Sequence, residues 1–307
     1  MKKLLLILML TACAQTFAQQ DALYSQYMFN PFAVNPAYAG SRNSYSAVVL
    51  QRFQWVGIDD SPMTSSFAVH APTTKWNLVW GVGAVLDRLG PTQSTNISGT
   101  IGYQLKVRKQ SKLTFALRGG SYSFGIDRSK LVFKDPTDQL NVNVGIERTT
   151  IPTFDFGAYY YTPKFYAGLS INHLNGGQIA FKDLNIDNTG LFLRQHLFLS
   201  SGYVFDLNSN IIMKPSVLVK YARGAPVNID ANFSTLFYKK VWLGVSLRNV
   251  SSLVLMTDIN ITDFMRLGYA YDISLNKLSA YNSGSHELFI GFDFNLKKSN
   301  TVSPRYL

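Results

Sequence analysis

Along most of this chain apolar and polar residues alternate with a period of two, in runs of about ten residues separated by turn-forming residues. In "PVNIDANFSTLFYKK" Val227, Ile229, Ala231, Phe233 and Phe237 fall on one face, and Asn228, Asp230, Asn232 and Ser234 on the other. "HELFIGFDFNL" sets Leu288, Ile290, Phe292, Phe294 and Leu296 against Glu287, Asp293 and Asn295. "FMRLGYAYDIS" sets Met265, Leu267, Tyr269, Tyr271 and Ile273 against Arg266, Gly268, Ala270 and Asp272. "NLVWGVGAVLD", "NISGTIGYQLKV", "KLTFALRGG" and "KFYAGLSIN" behave alike, with Ser98, Thr100, Gln104, Arg118, Ser170 and Asn172 on the polar faces of the last three. The pattern predicts about fourteen strands.

Two features favour a membrane barrel over a soluble sandwich. On nearly every strand the apolar face is large and aromatic while the other face holds charges and glycines, as expected when lipid lies outside and a polar lumen inside. The connections also sort by parity. The long ones ("QWVGIDDS", "IDRSK…ERTT", "LNGGQ…NTG", "LNKLSAYNSG") all run from odd to even strands. The even-to-odd ones ("APTTK", "RKQS", "TPK", "DLNSN", "YKK", "TD") stay short, which is the asymmetry of outer loops and periplasmic turns. The predicted fold is therefore all-β: a transmembrane outer-membrane β-barrel of about 14 antiparallel strands with an N-terminal periplasmic or plug segment. Pro215 lacks a ladder donor, so a bulge or a place near a rim is expected there. Trp80, Tyr103, Tyr203, Tyr221 and Trp242 are candidates for interfacial girdles, or else for filling a crowded lumen. Gly81 and Gly83 fall on the inward face, where a missing side chain leaves room for lumenal side chains or for an inserted segment.

Lys2-Lys3, the apolar run Leu4 to Leu10 and the small residues after it read as an export signal. "TFA" favours cleavage after Ala18; "LTAC" offers the competing outcome, lipidation at Cys13. Cleavage after Ala18 would leave no cysteine in the mature chain and hence no disulfide. The expected organisation is a signal peptide at 1–18, an aromatic Asn-Pro segment at 19–42, a barrel at 43–297 and a tail at 298–307.

Composition agrees. Only 15% of the 307 residues are charged, against about 25% in ordinary soluble domains, while 14% are aromatic. The net charge of +11 would suit an acidic partner or lipid headgroups, but no nucleic-acid module accompanies it. "KVRKQSK" reads as a turn between strands.

Candidate chemistry is sparse. His70, His173, His196 and His286 lie far apart, without metal-ligand spacing or a catalytic cysteine context. In "GSHE", Ser285 and Glu287 share one side of a strand and His286 takes the other, which opposes a triad. Arg194 and His196 are expected to face the lumen from a strand. No catalytic, cofactor or metal residue is predicted.

The unusual stretch is "DALYSQYMFNPFAVNPAYAG", residues 21–40. Asn30-Pro31 and Asn35-Pro36 interrupt any regular element, yet the aromatics require burial. The segment is expected to start in the periplasm and pack into or across the periplasmic mouth. There Tyr24, Tyr27, Met28, Phe29 and Tyr38 would supply apolar contacts, with Asn30 and Asn35 fixing the turns. Its role is either a docking surface or a structural cap. As a partner-binding set the candidates are Tyr24, Gln26, Tyr27, Met28, Phe29, Asn30, Pro31, Asn35, Pro36, Tyr38 and Gly40.

"YSQYMFNPFAVNPAYAG", with "GVGAVLDRLGP", "KPSVLVKYARGAPVNIDAN", "KVWLGVSLR" and "GSHELFIGFDF", resembles the PorP/SprF family of Bacteroidetes outer-membrane proteins. Ala22 departs from an expected proline and Tyr24 from the commoner Phe. The resemblance implies a non-enzymatic outer-membrane component of type IX secretion and gliding motility. It would support export or surface anchoring of a large, adhesin-like secreted protein through that protein's C-terminal domain. The implied partners are that cargo, other type IX components, the lipid bilayer and lipopolysaccharide, with no nucleic acid. Two other readings remain open: an outer-membrane channel, either a porin or a hydrophobic-substrate transporter, and a soluble β-rich adhesin.

Overall fold

The computed structural model describes residues 24–73, 75–131, 145–179 and 192–295. The expected signal peptide and C-terminal tail lie outside these residues. Fourteen strands form the wall of a closed antiparallel barrel. They are β1 (Ser44–Phe53), β2 (Met63–Pro72), β3 (Leu78–Leu89), β4 (Thr92–Arg108), β5 (Ser111–Asp127), β6 (Ile146–Tyr161) and β7 (Phe165–Asn172). β8 (His196–Tyr203), β9 (Ile211–Ala222), β10 (Asn228–Phe237), β11 (Val241–Arg248), β12 (Ser252–Asn260), β13 (Met265–Ser274) and β14 (Ser285–Asn295) complete it. Each strand pairs with the next in sequence, and β1 closes on β14 in a register running from Ser44–Asn295 to Phe53–His286.

Closure follows from the solvent. Acyl chains offer no hydrogen-bond partner, so an unpaired edge would strand a row of N–H and C=O groups at several kcal/mol each. The faces sort as the alternation predicts. Val49, Phe67, Ile101, Leu117, Phe154, Leu243 and Leu255 stand on the outside and are exposed. Arg52, Asp230, Asp258, Asp272 and Glu287 point inward and are buried. Greasy side chains outside and ion pairs inside invert the order of a soluble protein, and they mark the wall as lipid-facing.

β4 and β5 run for 17 residues and β6 for 16, against 8 for β7, β8 and β11. The long connections leave the end of the barrel where β1 finishes and β2 begins, so that end is the outer one and the short turns are periplasmic.

Two expectations, those for Pro215 and Arg194, need correction. Pro215 makes no bulge: it pairs with Phe233 in unbroken register with β10. The interruption lies on its other flank, where the β8 ladder stops at Gly202–Ser216 and pairing resumes at Phe205–Met213. A residue without a donor fits where a neighbouring strand has let go. Of the aromatic candidates, Trp80, Tyr103, Tyr203 and Tyr221 lie on the outer face as girdle residues would, and Trp242 takes the other expected place, inside the lumen. Its ring is buried inside against Phe29 and under the Lys214 ammonium. Arg194 also differs: it sits in the connection before β8, where it donates to the Arg223 carbonyl.

Candidate functional site

Residues 24–43 fill the lumen. Each Asn-Pro pair opens a short 3-10 turn, Pro31–Ala33 and Pro36–Tyr38. Proline suits the first position because its φ is preset and the missing N–H has no partner there anyway. Asn35 both turns the chain and pins it: its Oδ1 accepts from the Ala37 N–H at 2.9 Å. Its Nδ2 donates to the Ala158 and Leu169 carbonyls of β6 and β7 at 3.1 and 3.2 Å. Asn30 does not act the same way. Its side chain caps nothing, and the first turn is held by backbone bonds from Ala33 and Val34 to Asn30 and Pro31.

The aromatics lie against the barrel's inner face. Phe29 sits 6.2 Å, ring to ring, from both Trp242 and Phe289. Lys214 lies 5.0 Å above the Trp242 ring and 5.7 Å above Phe29, a cation held among aromatic faces. Phe32 contacts His70 at 4.9 Å and lies 5.0 Å beneath the Arg118 guanidinium, which also donates to the Phe32 carbonyl at 2.7 Å. Tyr38 meets Tyr159 edge-on at 5.3 Å. The wall makes room for them. A Cβ on Gly81 would lie 2.6 Å from the Phe32 ring, and one on Gly157 would strike the Asn35 amide. At Gly83, by contrast, a Cβ would make only ordinary contacts, 3.7 Å from the Phe67 carbonyl and the Ser98 hydroxyl, and none with the segment.

Charge completes the seal. The Glu287 carboxylate accepts the backbone N–H groups of Ser25 and Gln26, both at 2.8 Å. Arg52 pairs with Asp272 at 2.8 Å and with Glu287 at 3.2 Å, and Ser25 Oγ donates to Asp272 at 2.7 Å. Arg248 donates to the Tyr24 carbonyl at 3.3 Å and pairs with Asp230, which Lys220 also holds at 2.8 Å. Arg42 bonds Asp293, the Tyr38 hydroxyl and the Phe29 carbonyl. Removing one member of such a buried pair costs about 3–5 kcal/mol, because the survivor keeps an uncompensated charge.

Of the candidate residues, Gln26, Tyr27, Met28, Phe29, Asn30, Asn35, Pro36, Tyr38 and Gly40 are buried within the barrel. Tyr24 and Pro31 keep partial exposure. The segment does not merely cross the periplasmic mouth. Gly40 lies against Pro72 and Val79 at the periplasmic ends of β2 and β3, whereas Ser25 reaches Arg52 near the outer end of β1. Sequence reasoning named the inserted side and not its receptors: Arg52, Lys214, Arg248, Asp272, Glu287 and Asp293. Their signal was present as charges at inward parity, a costly placement that calls for partners.

The catalytic candidates stay apart. Ser285 and Glu287 are buried inside, while His286 stands outside with Nδ1 2.8 Å from the Tyr269 hydroxyl. Among the described residues no group of three or more His, Cys, Asp or Glu side chains could hold a metal ion.

The model of the PorP/SprF family, "Type IX secretion system membrane protein PorP/SprF", matches residues 16–292. The chain belongs to the PorP/SprF family. It is an outer-membrane component of type IX secretion. No curated protein matches its sequence. Among solved structures it is similar to the Pseudomonas putida toluene transporter TodX, at TM-score 0.49 and 9% identity over 92% of this chain and 96% of that one. The Acinetobacter baumannii outer membrane protein Omp33 gives 0.46 and 12% over 82% and 100%. A Pseudomonas aeruginosa FadL homologue gives 0.44 and 8% over 83% and 89%.

Proposed function

We propose that this PorP/SprF protein is a non-enzymatic partner of a large secreted protein, supporting its export or surface anchoring through that protein's C-terminal domain. The observation that supports this over a diffusion channel is the filled lumen. A pore needs a continuous wet path, and here Tyr27, Phe29, Phe32, Tyr38 and their ion-paired receptors occupy it. A barrel closed by its own chain serves as a stable, inert post in the membrane, to which other components attach. The separation of Ser285, Glu287 and His286 across the wall agrees with a role without catalysis.

Affinity capture of the tagged protein from detergent-solubilised envelopes tests the reading. Co-purification of a protein with a type IX C-terminal domain supports it. Capture of no such protein, together with a large steady conductance in planar bilayers, would instead establish a channel. Deleting residues 24–39 separates the two roles of the segment. Normal barrel assembly with lost export assigns it to docking, and failed assembly assigns it to structure.

A further inference from the structure

We propose that the N-terminal segment is threaded through the barrel with its amino end outward, so that the processed chain begins on the cell-surface side of its own seal. The observation is the direction of residues 24–43. At the carboxyl end of the segment, the Asn43 Oδ1 accepts from Lys112, the second residue of β5, at the short-turn end of the barrel. Gly40 lies there too, against Pro72 and Val79.

At the amino end every anchor comes from the opposite rim. Arg52 is the penultimate residue of β1, and Arg248 is the last of β11. Asp272 lies two residues before the end of β13, and Glu287 two residues after the start of β14. Ser25, Gln26 and Tyr24 are bonded to these four.

A cavity of about 130 Å³ lies above the segment. Tyr24, Tyr27 and Asn30 contribute its floor, and its wall includes Asp87, Ser94 and Asn96, from the outer ends of β3 and β4. Below Tyr24 the lumen is taken up by Phe29, Tyr38 and Ala39, each almost wholly inaccessible. A chain leading back to the periplasm from Tyr24 would have to pass that packing a second time. A chain leading outward meets the open cavity. Any component that reads the amino terminus of the mature protein would therefore do so from outside the cell.

Single-cysteine variants test the topology. Gln20→Cys is treated in intact cells with a maleimide on a polymer too large for diffusion channels. Asp60→Cys, in the exposed β1–β2 connection, marks the outer side, and Lys239→Cys, in the exposed β10–β11 turn, marks the periplasmic side. A further variant places a flexible Gly/Ser insert with one cysteine ahead of Gln20, so that crowding in the cavity cannot mask the thiol. We expect the insert variant to react in intact cells as Asp60→Cys does, while Lys239→Cys reacts only after the outer membrane is breached. The proposal is overturned if Gln20→Cys and the insert variant both follow Lys239→Cys, or if both stay unreactive while Asp60→Cys is labelled.

Discussion

Arg42 bonds backward onto Phe29, its Nη2 donating to the Phe29 carbonyl at 3.2 Å while Nη1 holds Asp293 at 2.8 Å. One side chain thus ties the two arms of the lumenal segment to each other and to the last strand. Arg42→Met should destabilise the folded barrel by about 3–5 kcal/mol, because the Phe29 carbonyl and the Tyr38 hydroxyl lose a buried donor. Arg266, 3.3 Å from Asp293, limits the loss. Thermal unfolding in detergent measures the cost, and planar-bilayer recording should show intermittent conductance absent from the parent.

Glu287→Gln keeps the shape of the side chain and removes its charge. Two backbone donors and Arg52 then compete for one carbonyl oxygen, at a cost of about 2–5 kcal/mol. Pairing it with Arg52→Met should recover part of the loss, with a coupling of about 0.5–3 kcal/mol. Additive losses in a double-mutant cycle would show that the two side chains act independently.

Gly81→Ala and Gly83→Ala should differ sharply although they sit two residues apart on one face. At Gly81 the new methyl meets the Phe32 ring and His70; at Gly83 its nearest atoms are 3.7 Å away. Overpacking of this kind costs about 1–3 kcal/mol. Gly81→Ala is expected to loosen the segment and expose it to added protease, with Gly83→Ala indistinguishable from the parent.

Val245 stands mid-way along β11 on the exposed outer face. Val245→Arg should cost about 2–4 kcal/mol if this wall meets hydrocarbon. The folded fraction after refolding into vesicles, read from heat-modifiable gel mobility, gives the value. Full yield of a monodisperse protein in plain buffer would contradict a lipid-facing surface.

The faces of the strands were legible because side chains alternate with a fixed period of two and each face meets a different solvent. Val227 to Ser234 and Met265 to Ile273 needed nothing else. Trp242 was open between girdle and lumen, and parity decides it: in "KVWLGVSLR" it shares a face with Ser246 and Arg248, which are both buried inside. Pro215 was not legible, since its tolerance depends on where β8 lets go, a fact of the neighbouring strand. The need to bury residues 21–40 followed from their aromatics, but the depth and direction of insertion did not. Ser25 and Glu287 are 262 positions apart, and no local pattern links them.

That separation governs how the molecule is made. Ser25, Gln26 and Arg42 emerge early, yet Asp272, Glu287 and Asp293 arrive with the final two strands. Contacts so remote in sequence form late and slowly. The carboxyl-terminal hairpin thus carries two closures at once, the last seam of the wall against β1 and the final anchors of the lumenal segment.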